Sequence, residues 1–125
     1  MNFEDLLNKN VNQDNIGDTI CKSGYTKIIR PSTKITNKIK YMMMEFIFVN
    51  KSKAHEYVLD HKIALSLGGH PSNEGNLQLI TLDEGFRKNK LESKLRCLVC
   101  SKIIRLVDAQ KAIYQDWKSA YNAYL

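Results

Sequence analysis

The stretch YVLDHKIALSLGGHPSNEGNLQLITL, Tyr57 to Leu82, decides how this chain is read. Two apolar runs flank the turn-rich segment GGHPSNEG, which predicts a hairpin whose second strand candidate is NLQLITL. The first run, EYVLDHKIALSL, mixes strand formers with an alternation that breaks at Asp60 and His61. An ionised group taken from water without a partner is strongly unfavourable, so this pair is either satisfied by neighbours or used for chemistry.

Outward from the hairpin the period changes. DEGFRKNKLESKLRCLVCSKI reads as a helix, with Leu91, Leu95, Leu98 and Val99 on one side, basic residues mostly on the other, and Asp83 near its start to suit the helix dipole. A last helix is expected from about Val107, where Ala109, Ile113, Trp117 and Ala120 recur at helical spacing and Tyr121 and Tyr124 extend the face. Trp117 reads as a core anchor. On the amino-terminal side, FEDLLNK suggests a short amphipathic helix, and the Asn, Asp and Gly density up to Pro31 suggests irregular structure with a short strand at Tyr25 to Ile29. Past Pro31, STKITNKIKYMMMEF turns helical, with Ser32 or Thr36 as the cap. Its stripe of Ile39, Met42, Met43 and Phe46 reads as plain core packing.

Composition limits the classes. The 125 residues suit one compact domain, and a hydrophobic fraction of 43% supports a core. Lys and Arg exceed Asp and Glu by 19 to 13, a net charge of +6 that favours polyanionic partners. The basic residues are clustered: no acid falls between Thr19 and Met44, and Glu92 is the only one between Phe86 and Arg105. Either run alone is as well explained by a solvated face, but two runs flanking the Asp-His segment favour a phosphate-binding surface. The longest apolar candidate, YMMMEFIFV, is interrupted by Glu45 and is far short of the ~20 residues of a membrane span. The amino terminus MNFEDLLNKN is acidic where a signal peptide is basic. The expectation is a cytoplasmic protein as given, or a secreted or periplasmic one if a leader has been removed, with no membrane partner.

Three cysteines leave alternatives open. Cys97 and Cys100 form C-x-x-C on a helical segment, without the second pair that completes a structural zinc site. A Cys21 to Cys100 disulfide with Cys97 left over suits an oxidising compartment, and buried thiols suit a reducing one.

The order strand, loop, strand, helix, with Asp60-His61 ending the first strand, Gly68-Gly69 and HPSNEG in the loop, and Asn76-Leu77-Gln78 opening the second, resembles the HNH endonuclease superfamily. A wider resemblance runs from about Ile16 to Tyr121. TICKSGYTKIIRP, TNKIK, LDHKIALSLGG, NLQ, KNKLESKL and VCSKIIRLVDAQKAI are similar to segments of small, mostly uncharacterised HNH-like proteins of bacteria and phages. The resemblance implies an α+β fold: a ββα-metal core of about residues 54 to 100, made of a two-stranded antiparallel hairpin plus a helix. It sits in a single domain spanning residues 1 to 125, with added amino- and carboxy-terminal helices.

For function it implies a metal-dependent endonuclease hydrolysing phosphodiester bonds in DNA. His61 would be the general base, Asp60 a metal ligand, and Asn76 the residue that braces the loop and orients His61. The cofactor would be one divalent ion, magnesium or manganese ahead of zinc or nickel. These residue types suit that chemistry, because carboxylates are hard oxygen ligands and a neutral imidazole accepts a proton near neutral pH. The usual helix ligand falls on Gly85, which has no side chain to offer, so Asn89 becomes the candidate second ligand with Glu92 three residues on. Relatives commonly carry an acid in place of Val58 and a His in place of Arg96. Lys27, Arg30, Lys38 and Lys88 are the residues expected against the phosphate backbone, with Arg30 alternatively paired to Glu92 or Asp60. His70 and His55 are read as solvent residues. These departures support a second reading, a catalytically degenerate module that binds nucleic acid or a host or phage protein partner.

Overall fold

The computed structural model describes residues 2 to 125. Its class is α+β, a two-stranded antiparallel hairpin with several helices. Strand β1, Tyr57–His61, pairs with β2, Leu77–Thr81, in a register that sets Val58 opposite Ile80 and Asp60 opposite Gln78. Because side chains alternate along a strand, Val58 and Asp60 share one face of the hairpin with Ile80.

The described residues also form four α-helices: α1, Tyr25–Ile29; α2, Thr33–Phe46; α3, Leu82–Cys100; and α4, Leu106–Tyr124. Helix α3 follows β2 without a loop. Its first turn is closed by a capping box in which Thr81 Oγ1 accepts from the Glu84 amide and Glu84 accepts from the Thr81 amide. Both α2 and α3 pack on the hairpin, and α4 runs along α3. The main core joins Leu91, Leu95 and Val99 of α3 to Leu106, Ala109 and Ile113 of α4. It also takes in Ile63, Ala64 and Leu67 from the loop between the strands, and Leu6, Val11, Ile16 and Ile20 from the amino-terminal segment.

Three expectations are corrected. Tyr25–Ile29 is the helix α1 rather than a strand, entered from Gly24 at φ +85° and closed by the Arg30 amide on the Thr26 carbonyl. A lone strand there would have had no ladder partner for its backbone groups. On α2, capped by Ser32, the stripe expected in the core is largely outside: Met42 is 59% and Phe46 85% exposed, while Met44 is the buried residue. Ile39, Met42, Met43, Phe46 and Leu79 instead line an open groove. Trp117, expected as a core anchor, packs against the core from its edge and is only partly buried, with the Arg87 guanidinium 5.6 Å and the Lys118 ammonium 5.7 Å from its ring centroid.

The cysteines resolve to a Cys21–Cys100 disulfide and an exposed Cys97. With Cys100 already bonded, the C-x-x-C cannot serve as half of a zinc site. No helix among the described residues is long and apolar enough to cross a membrane.

Candidate functional site

The loop that follows β1 is folded around one amide. Asn76 is fully buried; its Oδ1 accepts from the Ile63 amide at 2.9 Å, and its Nδ2 donates to the carbonyls of Ile63 and His70, each at 3.0 Å. The backbone adds Lys62 N–H to the Asn76 carbonyl at 2.7 Å. Gly69 is required where the chain doubles back, since a Cβ there would lie 1.7 Å from the Ile63 carbonyl oxygen. Gly68, at φ +80°, sits beneath α4, where Gln110 Nε2 donates to the neighbouring Leu67 carbonyl at 2.8 Å. His70, read from sequence as a solvent residue, is partly buried, and its Nδ1 accepts from the amides of Ser72 and Asn73.

This scaffold fixes His61. Its Nε2 lies 2.8 Å from the Pro71 carbonyl oxygen. A carbonyl only accepts, so Nε2 carries the proton and Nδ1 keeps a lone pair. Burial holds the imidazole below its usual pKa, outweighing the Pro71 carbonyl, which acts the other way; the positive charge of Arg30 adds to the lowering. The ring is therefore neutral at pH 7.

A cleft of about 310 Å³ opens between the end of β1 and the start of α3. Asp60, His61, Asn89, Glu92 and Arg30 all line it. Of the basic residues expected at phosphate, only Arg30 does so; Lys27 and Lys38 are exposed outside it. Arg30 makes no ion pair with Asp60 or Glu92 among the described residues.

Lys88 corrects the fourth of those expectations. It is fully buried, and its ammonium contacts Asp60 Oδ2 at 3.0 Å, Glu92 Oε2 at 2.9 Å and the His61 carbonyl at 2.9 Å. Gln78, the partner of Asp60 across the hairpin, donates to the same Asp60 oxygen at 3.0 Å. Lys88 therefore belongs to the interior of the site and cannot lie against a phosphate backbone. One ammonium serves two carboxylates, and burial prevails at Glu92, whose carboxyl is raised above the usual range despite Lys88.

The ligand set expected for a divalent ion is thus brought to one cleft, but Asp60 and Glu92 point their paired oxygens at a nitrogen. Among the described residues no three His, Cys, Asp or Glu side chains gather as a metal-holding group. A cation bound to these carboxylates would meet the like charge of Lys88, whose nitrogen lies 2.9 to 3.0 Å from one oxygen of each. The residues as arranged do not fit a tightly held ion. The Gly85 position is tight, because a Cβ there would lie 3.2 Å from Val58 Cγ2. Where the sequence resemblance implies an acid and a ligand, this chain packs a valine against a glycine. Arg96 donates its Nε–H to the Ile20 carbonyl at 2.8 Å.

Sequence reading set Lys88 against the phosphate backbone rather than inside the site, and did not single out Gln78 or Pro71. The Lys88 to Glu92 spacing of four on a helix was the available signal for the first. The other two are set by strand register and loop path. Comparison with protein family models, with curated proteins and with solved structures gave no match.

Proposed function

We propose that this protein is an HNH-type endonuclease hydrolysing phosphodiester bonds in DNA, with His61 as general base. The observation that carries the reading is the tautomer of His61: Nε2–H is tied to the Pro71 carbonyl, and the opposite nitrogen is a neutral base on a ring that lines the cleft. A base must be deprotonated to act, and burial supplies that state at neutral pH. Arg30, on the same cleft, is a donor suited to a phosphate oxygen. The net charge of +6 favours approach of a polyanion. Asn76 acts through His61 as a positioning residue. The reading carries no metal step, because the carboxylates that would hold the ion are already held by Lys88.

Relaxation of supercoiled plasmid tests it, run with magnesium, with manganese and with chelator. Wild-type protein is expected to nick under at least one condition, and His61→Ala, with an unchanged far-UV spectrum, is expected to be inactive. A wild type that cleaves under none of them removes the hydrolase reading. The second reading, a module that binds nucleic acid without cleaving it, rests on the Val58 to Gly85 packing where the resemblance implies ligands. It would be favoured by salt-sensitive DNA binding that is the same in wild type and His61→Ala.

A further inference from the structure

We infer that Lys88 is a resident cation: its ammonium takes the place between Asp60 and Glu92 that a divalent ion would otherwise occupy, and the free protein holds no such ion. The inference does not depend on the nuclease reading, since it concerns what the cleft binds rather than what it cleaves.

Three features of the contact set support it. First, the ammonium's donors are saturated. A Lys nitrogen has three N–H bonds, and three acceptors stand at 2.9 to 3.0 Å: Asp60 Oδ2, Glu92 Oε2 and the His61 carbonyl oxygen. Two carboxylate oxygens and a backbone carbonyl form the kind of all-oxygen set that hard cations take. Second, the nitrogen is sealed in. The Lys88 side chain is 1% exposed against 13% for Asp60 and 17% for Glu92, so the carboxylates meet the cleft and the ammonium lies behind them. Third, the charge is locally matched. The two carboxylates on the cleft have the Lys88 ammonium directly behind them and the Arg30 guanidinium on the cleft wall, leaving no excess negative charge to attract a dication.

The arrangement also gives Lys88 a positioning role. It grips the Asp60 side chain and the His61 backbone at once, tying the end of β1 to the second turn of α3. A metal ion bound only through side chains would not fix the His61 backbone in this way.

Removing the ammonium should expose a cation site. In Lys88→Ser the two carboxylates lose their counterion and a small hydroxyl leaves room behind them. Titration of Mn2+ followed by the loss of its free-ion paramagnetic signal reads the outcome directly. The wild type is expected to show no stoichiometric uptake below about 1 mM, the weak end of known oxygen-ligand sites. Lys88→Ser is expected to take up one ion roughly tenfold or more tightly, with a melting temperature that rises on adding Mn2+. Adding Asp60→Asn and Glu92→Gln to Lys88→Ser should abolish that uptake.

The proposal is overturned if wild-type protein binds one Mn2+ in the micromolar range and Asp60→Asn abolishes it, a test that requires no Lys88 variant to fold. It is equally overturned if folded Lys88→Ser binds no better than wild type. None of these measurements involves DNA, so loss of the nuclease reading would leave them interpretable.

Discussion

The loop from Lys62 to Asn76 and the helix α2 reverse what their compositions suggest. The loop is built from Gly, Asn, Ser, His and Pro around a short apolar run, and it contributes Ile63, Leu67 and the fully enclosed Asn76 to the interior. Helix α2 is rich in Met, Ile and Phe, and of its residues only Met44 is buried. The difference lies in what each segment can satisfy. Asn76 saturates three backbone groups that would otherwise be stranded, so its burial costs little. Among the described residues no element is laid over the outer side of α2, and apolar character alone cannot supply one.

The sharpest way to break the loop is Gly69→Ala. The added methyl falls on backbone that cannot move aside, and a loss of more than about 4 kcal/mol is expected, the range reserved for failures of this kind. Chemical denaturation of the variant checks it; a near-wild-type midpoint would mean the loop is less constrained than the contact with Ile63 implies. Asn76→Ala comes next. It leaves the Ile63 amide and the carbonyls of Ile63 and His70 unpartnered, at roughly 3 kcal/mol or more in total. The same measurement gives the value, and hydrogen exchange should show the Ile63 amide losing protection.

A pH series places His61 between the extremes. Its folded pKa is depressed, so below the ordinary imidazole value of ~6.5 the unfolded chain takes up the proton first. Stability is therefore lost as pH falls through that window toward the folded pKa. His61→Asn should flatten this part of the stability profile, and an unchanged slope would mean the imidazole is not held neutral. If the protein nicks DNA, the acid limb of its rate should lie below the same ordinary value. On the other side of the comparison, Phe46→Ser and Met42→Ser should change stability by no more than about 0.5 kcal/mol. A larger loss from either would show that α2 is more deeply packed than its 85% and 59% exposures indicate.

How much of this was readable follows the same division. The hairpin was legible from strand formers on either side of a turn-rich segment, α3 and α4 from helical spacing, and Asn76 and Gly69 as parts of a pattern. Helix α1 was not: five residues of Tyr, Thr, Lys and Ile have strand character, and only the left-handed Gly24 and the absence of a ladder partner turn them into a helical turn. Periodicity on α2 showed which residues share a face but said nothing of what would cover it. Lys88 was hidden by its type. A lysine is read as a surface charge until its carboxylates are known, and one of them lies on β1, fixed only by the tertiary fold.

The Cys21–Cys100 bond closes a covalent ring, and Arg30, Asp60, His61, Asn76, Lys88 and Glu92 all lie on it. The chain outside that ring supplies packing but none of the cleft. A protease cut anywhere between the two cysteines would therefore open the polypeptide without separating its pieces. A nicked protein could keep its cleft assembled in oxidising surroundings and come apart only when the sulfurs are reduced. The same bond makes thiol chemistry, through the exposed Cys97 three residues away, a handle on whether the two pieces stay together.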